Sequence, residues 1–266
     1  MPQENLEPKH NQPKYKPDNT SFKKVKAEKI KSSEVIKVII PAYNEEESIA
    51  KVIAEIPEIV QEIIVVSNNS TDATEENAKN AGATVLQENR KGYGYACLKG
   101  MDYISKQSFD KLRTKPDIIV FLDGDYSDFP AELTKIIAPI IKENKDLVIG
   151  SRVKRWREKG SMTFPQIFGN WLATSLMKLF FNARFTDLGP FRAIKYDKLL
   201  ELEMQDKTYG WTVEMQLKAI KKGFSYTEVP VHYKNRIGTS KVSGTVKGAI
   251  FAGVKILGWI FKYSFK

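Results

Sequence analysis

The 266-residue chain carries 42 Lys and Arg against 32 Asp and Glu, a formal charge of +10. This balance favours an anionic partner: nucleotide, phosphate, anionic lipid or nucleic acid. The single cysteine, Cys97, excludes an intramolecular disulfide and a cysteine-based metal site, and points to a reducing, cytosolic setting. No uninterrupted apolar run reaches the ~20 residues of a bilayer span, and the first residues lack the apolar stretch of a signal peptide.

Residues 1–34 hold Pro2, Pro8, Pro13 and Pro17, many lysines and few large apolar side chains. Such a segment buries too little to offset its ordering entropy, so a disordered basic arm is expected. From Val35 strands alternate with helices. Val35–Ile40 reads as a strand, and Asn44 to Ser48 as a helix start with Asn44 as its cap. Ile63–Val66 is a second strand, followed by Ser67-Asn68-Asn69-Ser70-Thr71-Asp72, which is turn and cap chemistry. Gly82–Leu86 is a third strand, and a helix follows Gly94. Ile118–Leu122 is an apolar strand, Pro130 opens a helix to about Lys142, and Asp146–Ile149 is another strand. The alternation predicts an α/β fold, a mostly parallel Rossmann-like sheet flanked by helices. Further on, Pro165–Phe181 reads as an aromatic-rich helix, Gly189–Arg192 as a turn into a short strand, Trp211–Lys222 as a helix and Phe224–Val229 as a strand.

The last segment differs. In 244–266, Ile250, Phe251, Val254, Leu257, Trp259, Ile260 and Phe261 interleave with Lys247, Lys255, Lys262 and Lys266. This pattern suits an interfacial helix on a membrane, or a packed terminal helix whose lysines snorkel.

The chemistry gathers at strand ends, where open α/β sheets bind ligands. Asp123 and Asp125 are two residues apart after a buried strand, so both carboxylates can face one side. Gly124 between them lets the backbone turn or a ligand close in. Paired hard oxygens suit Mg²⁺ or Mn²⁺, with a substrate diphosphate completing the shell; the bland reading is a surface Asp-Gly turn. Tyr43 offers a flat face for a base and Glu45 an acceptor for ribose or base donors, or the pair simply forms a strand-to-helix loop. Asn89-Arg90-Lys91-Gly92-Tyr93-Gly94 combines two cations, two glycines and a helix start. It is either a phosphate cradle or a glycine-rich turn with solvated cations, and it matches neither a Walker loop nor Gly-x-Gly-x-x-Gly.

In sum, Ile39-Ile-Pro-Ala-Tyr-Asn-Glu-Glu-Glu-Ser48, Ser-Thr-Asp at 70–72, Arg-Lys-Gly-Tyr-Gly at 90–94 and Phe-Leu-Asp-Gly-Asp-Tyr-Ser-Asp at 121–128 resemble the inverting family 2 glycosyltransferases of the GT-A fold. Gly-Trp-Thr-Val-Glu-Met at 210–215, Glu-Val-Pro-Val at 228–231 and Arg-Ile-Gly-Thr-Ser-Lys at 236–241 resemble the branch of dolichyl- and polyprenyl-phosphate mannose and glucose synthases. The resemblance covers about residues 35–260. It implies a GT-A domain over 35–241, a membrane-surface helix over 242–266, and a peripheral protein on the cytoplasmic face. It implies a UDP- or GDP-hexose donor, a divalent metal and a polyprenyl phosphate acceptor.

Residue by residue, it assigns Pro41, Ala42, Tyr43 and Glu45 to the nucleoside loop, and Asp123 and Asp125 to metal and diphosphate. Arg90 and Gly94 flank the donor, Arg192 lies on the acceptor side, and Glu214 stands at the position of a catalytic carboxylate. Arg236, Ser240 and Lys241 handle phosphate. Ser67 stands where the family usually has an aspartate that contacts the base or ribose, and keeps hydrogen bonding without the charge. With a lipid phosphate, already anionic, Glu214 would orient; with a hydroxyl acceptor it would be the base. His232 reads as structural and Cys97 as a small apolar residue on a helix. Trp171, Phe180 and Phe181 read as core more readily than as a lipid groove. The alternatives are a soluble saccharide or small-molecule acceptor and a nucleotide-sugar binder without catalysis. Nucleic-acid binding lacks a recognised motif.

Overall fold

The computed structural model describes residues 33–108, 115–238 and 246–264. Ser240 and Lys241 lie outside them, as does nearly all of the N-terminal arm and the boundary expected after residue 241.

The strands are β1 (Ile36–Ala42), β2 (Glu62–Ser67), β3 (Thr84–Gln87), β4 (Ile118–Phe121), β5 (Leu147–Ser151), β6 (Arg192–Lys195) and β7 (Tyr226–Pro230). They form one seven-stranded sheet in the order β3-β2-β1-β4-β6-β5-β7. All neighbouring pairs are parallel except those of β6, which runs antiparallel to β4 and β5. The helices are α1 (Ile49–Ala54), α2 (Thr74–Asn80), α3 (Tyr93–Ser108), α4 (Leu133–Glu143), α5 (Phe164–Phe181), α6 (Tyr196–Glu201), α7 (Trp211–Lys221) and α8 (Val246–Ser264).

Strand side chains alternate between two cores, as the pleat requires. Ile36, Val38 and Ile40 of β1 pack with Val52 of α1, Ala78 of α2 and Ile137 of α4. Ile39, on the other face, joins Cys97 of α3, Met177 of α5, Val213 of α7 and Ile260 of α8. The continuous apolar runs therefore reflect strands covered on both faces.

Local signals are correct in kind and inexact at the edges. Pro130 opens a 3₁₀ turn, Pro130–Glu132, that leads into α4. The expected cap, Asn44, is instead in the left-handed region (φ 53°), and α1 begins five residues later. Its amide Oδ1 accepts from Thr71 N at 2.9 Å, so Asn44 ties the turn after β1 to the one after β2.

The C-terminal helix is docked on the domain. Trp259 and Ile260 are buried and join the core shared by α3, α5 and α7. Among the described residues no helix is long and apolar enough to cross a membrane.

Candidate active site

The chain leaves β1 toward β2 on one side, while β4 lies on the other, so the sheet order reverses between β1 and β4. A crevice opens outside the carboxyl ends of strands at such a point. Here it is a cleft of about 410 Å³. Pro41 and Ala42 at the end of β1 line it with Tyr43 and Glu45 just beyond, and Asp123, Gly124 and Asp125 do so after β4. Arg236 closes it from the segment after β7.

The two aspartates are held differently. Asp125 is buried; its Oδ1 accepts from Ser127 N at 2.9 Å and Ser127 Oγ at 2.6 Å, and its Oδ2 pairs with the Arg236 guanidinium. Asp123 faces the cleft with a buried Oδ1 that has no hydrogen-bond partner. Loss of hydration, and then the charge of Asp125, push the Asp123 carboxyl up to about 7, against the pull of Arg236 and Arg152. Burial raises the Asp128 carboxyl well above its ordinary range, with Asp123 and Asp125 adding to the effect. Negative charge is therefore in excess, and the unpartnered oxygen of Asp123 is where a cation would relieve it. Among the described residues no three His, Cys, Asp or Glu side chains group to hold a metal. The aspartate pair thus fits an ion whose shell a ligand completes.

Glu45 lies at the other wall. Ser48 Oγ donates to Glu45 Oε2 at 3.1 Å and to Gly124 O at 2.8 Å, so one hydroxyl clasps the turns after β1 and β4. Arg236 Nη2 is 3.7 Å from Glu45 Oε1, and Arg236 Nε is buried without a hydrogen-bond partner.

Several expected residues stand elsewhere. Ser67 is fully buried with an unpartnered Oγ and does not line the cleft. It follows Val65 by two residues, so the pleat turns it toward the core of α1, α2 and α4. Asn68 lines the cleft in its place, and its amide organises the next turn: Nδ2 donates to Glu88 O at 3.1 Å and Arg90 O at 2.7 Å, and Oδ1 accepts from Gly92 N at 2.8 Å. Arg90 points away, forked onto Glu88 at 2.6 and 2.8 Å and 4.5 Å from the Tyr95 ring; Lys91 faces the cleft.

The glycine-rich turn is packed against another backbone segment. Gly94 N and Tyr95 N donate to the carbonyls of Thr208 and Lys207 at 3.3 and 3.1 Å. A Cβ on Gly92 or Gly94 would come within 2.2 Å of Lys207 O or 2.1 Å of Asp206 O. These glycines admit another backbone segment, which takes helix donors that a phosphate would need.

Arg192 is fully buried, donating to the carbonyls of Leu188 (3.2 Å), Gly189 (3.1 Å) and Thr212 (2.9 Å). Burial holds its guanidinium down to about 10. It braces β6 against α7 and does not line the cleft. Glu214 is also fully buried. It accepts from Gln205 N at 3.0 Å and Asp206 N at 2.7 Å, and pairs with Lys218 at 2.8 Å. It caps the loop at Gln205 and Asp206 and does not line the cleft.

His232 is structural, with Nδ1 2.7 Å from Glu132 Oε1 and its ring stacked 4.9 Å from Trp156. Cys97 is a buried core residue of α3.

Arg152, Gln166, Tyr209 and Tyr233 line the cleft without having been singled out. Arg152 is forked onto Asp187 at 2.6 and 3.0 Å. Only the order Arg152, one residue past β5, gave a local hint; Gln166 and Tyr209 come from segments far along the chain. Aromatics of α5 expected in the core are outside it: Trp171 is 60% and Phe180 42% exposed, while Phe181 packs against the core.

Comparison with known proteins follows this geometry. Residues 37–201 match Glycosyl transferase family 2. An uncharacterized glycosyltransferase of Mycobacterium tuberculosis (strain ATCC 25618 / H37Rv) is 32% identical over 224 residues, covering 83% of this chain and 95% of that protein. A dolichyl-phosphate hexose transferase of Haloferax volcanii is 28% identical, covering 80% and 88%. An undecaprenyl-phosphate mannosyltransferase of Micrococcus luteus is 27% identical, covering 81% and 90%. Among solved structures, glucosyl-3-phosphoglycerate synthase from Mycobacterium tuberculosis, in complex with Mn²⁺, UDP and glucosyl-3-phosphoglycerate, superposes with a TM-score of 0.67 at 20% identity, covering 87% of this chain and 80% of that one. Strand-end chemistry, sheet order and family match agree: the chain belongs to glycosyl transferase family 2, as a nucleotide-sugar-dependent hexosyltransferase with the GT-A fold.

Proposed function

We propose that the enzyme transfers a hexose from a UDP- or GDP-sugar to a polyprenyl phosphate, with inversion, at a membrane surface. The observation that carries this reading is the outer face of α5. Phe164, Ile167, Phe168 and Trp171 recur at helical spacing and are 78, 38, 50 and 60% exposed, and Gln166 on the same turns lines the cleft. An apolar stripe this exposed marks an interaction site. Phe251 and Phe261 of α8 are also exposed, at 56 and 43%, and Phe261 meets Phe180 of α5 at 5.9 Å. Residues 153–186 hold six Arg and Lys against the single acid Glu158, and 246–264 hold three Lys, one of them paired with Asp206, and no acid. Anionic lipid would attract such a surface by about 1 kcal/mol per cation close to it.

The donor's base and ribose would lie against Tyr43 and Glu45. Lys91 and Arg236 would offset the diphosphate charge. Asp123 and Asp125 would hold Mg²⁺ or Mn²⁺, which when bound supplies positive charge to the leaving diphosphate. Among the described residues the carboxylates lining the cleft are Glu45, Asp123 and Asp125, all on the donor edge. A lipid phosphate is already an anion and needs no base, so the withdrawal of Glu214 into the core supports this acceptor. Two relatives bear polyprenyl-phosphate names. A soluble phosphorylated acceptor is the second reading, favoured by the likeness of fold to glucosyl-3-phosphoglycerate synthase.

The test supplies labelled UDP- and GDP-hexoses with Mn²⁺ and either polyprenyl phosphate in vesicles or phosphoglycerate in solution. Organic-extractable product, lost in Asp125→Ala, is the expected result; product only in the aqueous arm would replace the lipid acceptor.

A further inference from the structure

One buried carboxylate stands between α8 and the cleft. Asp206, 2% exposed, lies in the connection from α6 to α7. Its Oδ1 accepts from Thr208 N at 2.7 Å and Gly210 N at 3.0 Å, which fixes the turn carrying Tyr209 into the cleft wall. Its Oδ2 accepts from the Trp259 indole N–H at 2.6 Å and lies 3.3 Å from Lys255 Nζ, both on α8. The turn rests directly on that helix, since a Cβ on Gly210 would fall 2.4 Å from the Trp259 ring. Its other side is pressed onto Gly92 and Gly94, where Lys207 O and Thr208 O take the first amides of α3. Lys91 and Gly92 line the cleft next to this contact. The 206–210 turn is therefore a wedge between α8 and the turn after β3.

We propose that Asp206 is a positioning residue for donor binding, through which the seating of α8 on the domain sets the cleft wall made by Tyr209 and the Lys91–Tyr93 turn. This rests on the nucleotide-sugar reading of the cleft. It makes α8 a support of the donor site as well as part of the surface assigned to the membrane. Without Trp259 and Lys255, Oδ2 is a buried acceptor with no partner, and the carboxylate reorients at the expense of Thr208 and Gly210. Coupling of two sites is reciprocal, so a ligand that orders the turn also tightens α8.

Hydrogen exchange of the full chain with Mn²⁺ and UDP or GDP tests this directly. Nucleotide is expected to slow exchange at 205–210 and also across 254–262. Protection of the cleft turns with 254–262 unchanged overturns the proposal. Trp259→Phe keeps an aromatic side chain in the core and removes the indole N–H along with part of the ring. It is expected to raise the nucleotide Kd about tenfold, or about 1.4 kcal/mol, while Val254→Ser on the exposed side of α8 leaves it unchanged. A lower Tm with an unchanged Kd in folded Trp259→Phe would leave Asp206 a structural anchor only. A wild-type chain that binds neither nucleotide overturns the donor reading itself, a separate failure.

Discussion

Arg236 pairs with Asp125 Oδ2 and lies 3.7 Å from Glu45 Oε1, so one guanidinium bridges the turns after β1 and β4 across the point where the strand order reverses. Ile237 N donates to Asp125 O at 3.0 Å and fixes the same segment by its backbone. Part of the negative charge of Asp125 is thereby offset before any ligand arrives, while Asp123 Oδ1 stays without a partner.

Arg236→Ala should separate two functions of that charge. Removing the cation leaves Asp123 and Asp125 less compensated, so affinity for Mn²⁺ alone should rise. Transfer from the nucleotide sugar should fall roughly 10²- to 10³-fold, because leaving-group charge loses a preorganised donor. Mn²⁺ titration beside kcat/KM measures both; a parallel loss of metal binding would contradict this role.

Asp123 should make metal binding depend on pH. Its carboxyl is raised to about 7, so the folded chain holds this proton more tightly than the unfolded one. Stability of the metal-free enzyme from this group is therefore greatest below the ordinary carboxyl value of 3.8 and declines as pH rises toward about 7. Metal needs the ionised form, so Mn²⁺ affinity should weaken about tenfold per pH unit below 7 and level off above it. Electron paramagnetic resonance titrations across this range should lose the slope in Asp123→Asn.

Glu214→Gln should separate a base from a cap. A general base typically supplies 10²- to 10⁴-fold, so its loss would appear in kcat. Glu214 instead holds Gln205, Asp206 and Lys218. The variant should keep kcat within about tenfold at a permissive temperature and lose roughly 1–3 kcal/mol of stability. Thermal melts and initial rates on one preparation check this.

Trp171→Glu should weaken partition into anionic vesicles that contain no acceptor, with little effect on nucleotide affinity. Adding salt should weaken wild-type partition as well, since the basic rim acts through screened charge. Co-sedimentation over a salt series measures both; partition unchanged in Trp171→Glu would remove α5 from the membrane surface.

Where sequence was a sufficient guide, the signal was local. The run Ile118–Leu122 followed by Asp123-Gly-Asp125 specifies a buried strand that ends in charge, and each requirement lies within a few residues. The same holds for the placement of Pro41–Glu45 at the carboxyl end of β1 and for the helix–strand alternation. Arg90, Gly94, Arg192 and Glu214 had suitable chemistry at suitable places, but their partners are decided by distant segments. Glu88 takes Arg90, the 206–208 backbone fills the space at Gly94, and loop amides occupy Glu214. A residue type states what a side chain can bind, and folding decides what is already bound.

By itself, then, the sequence determined a mostly parallel α/β sheet with polar and acidic residues at its strand ends, because strand periodicity and turn chemistry are encoded by near neighbours. The tertiary structure alone decided which charges face the cleft and which are consumed in the core, that Arg236 returns to Asp125, and that the α5 aromatics face outward. Those outcomes depend on contacts between residues far apart in the chain, which burial and charge compensation select only once the sheet has brought them together.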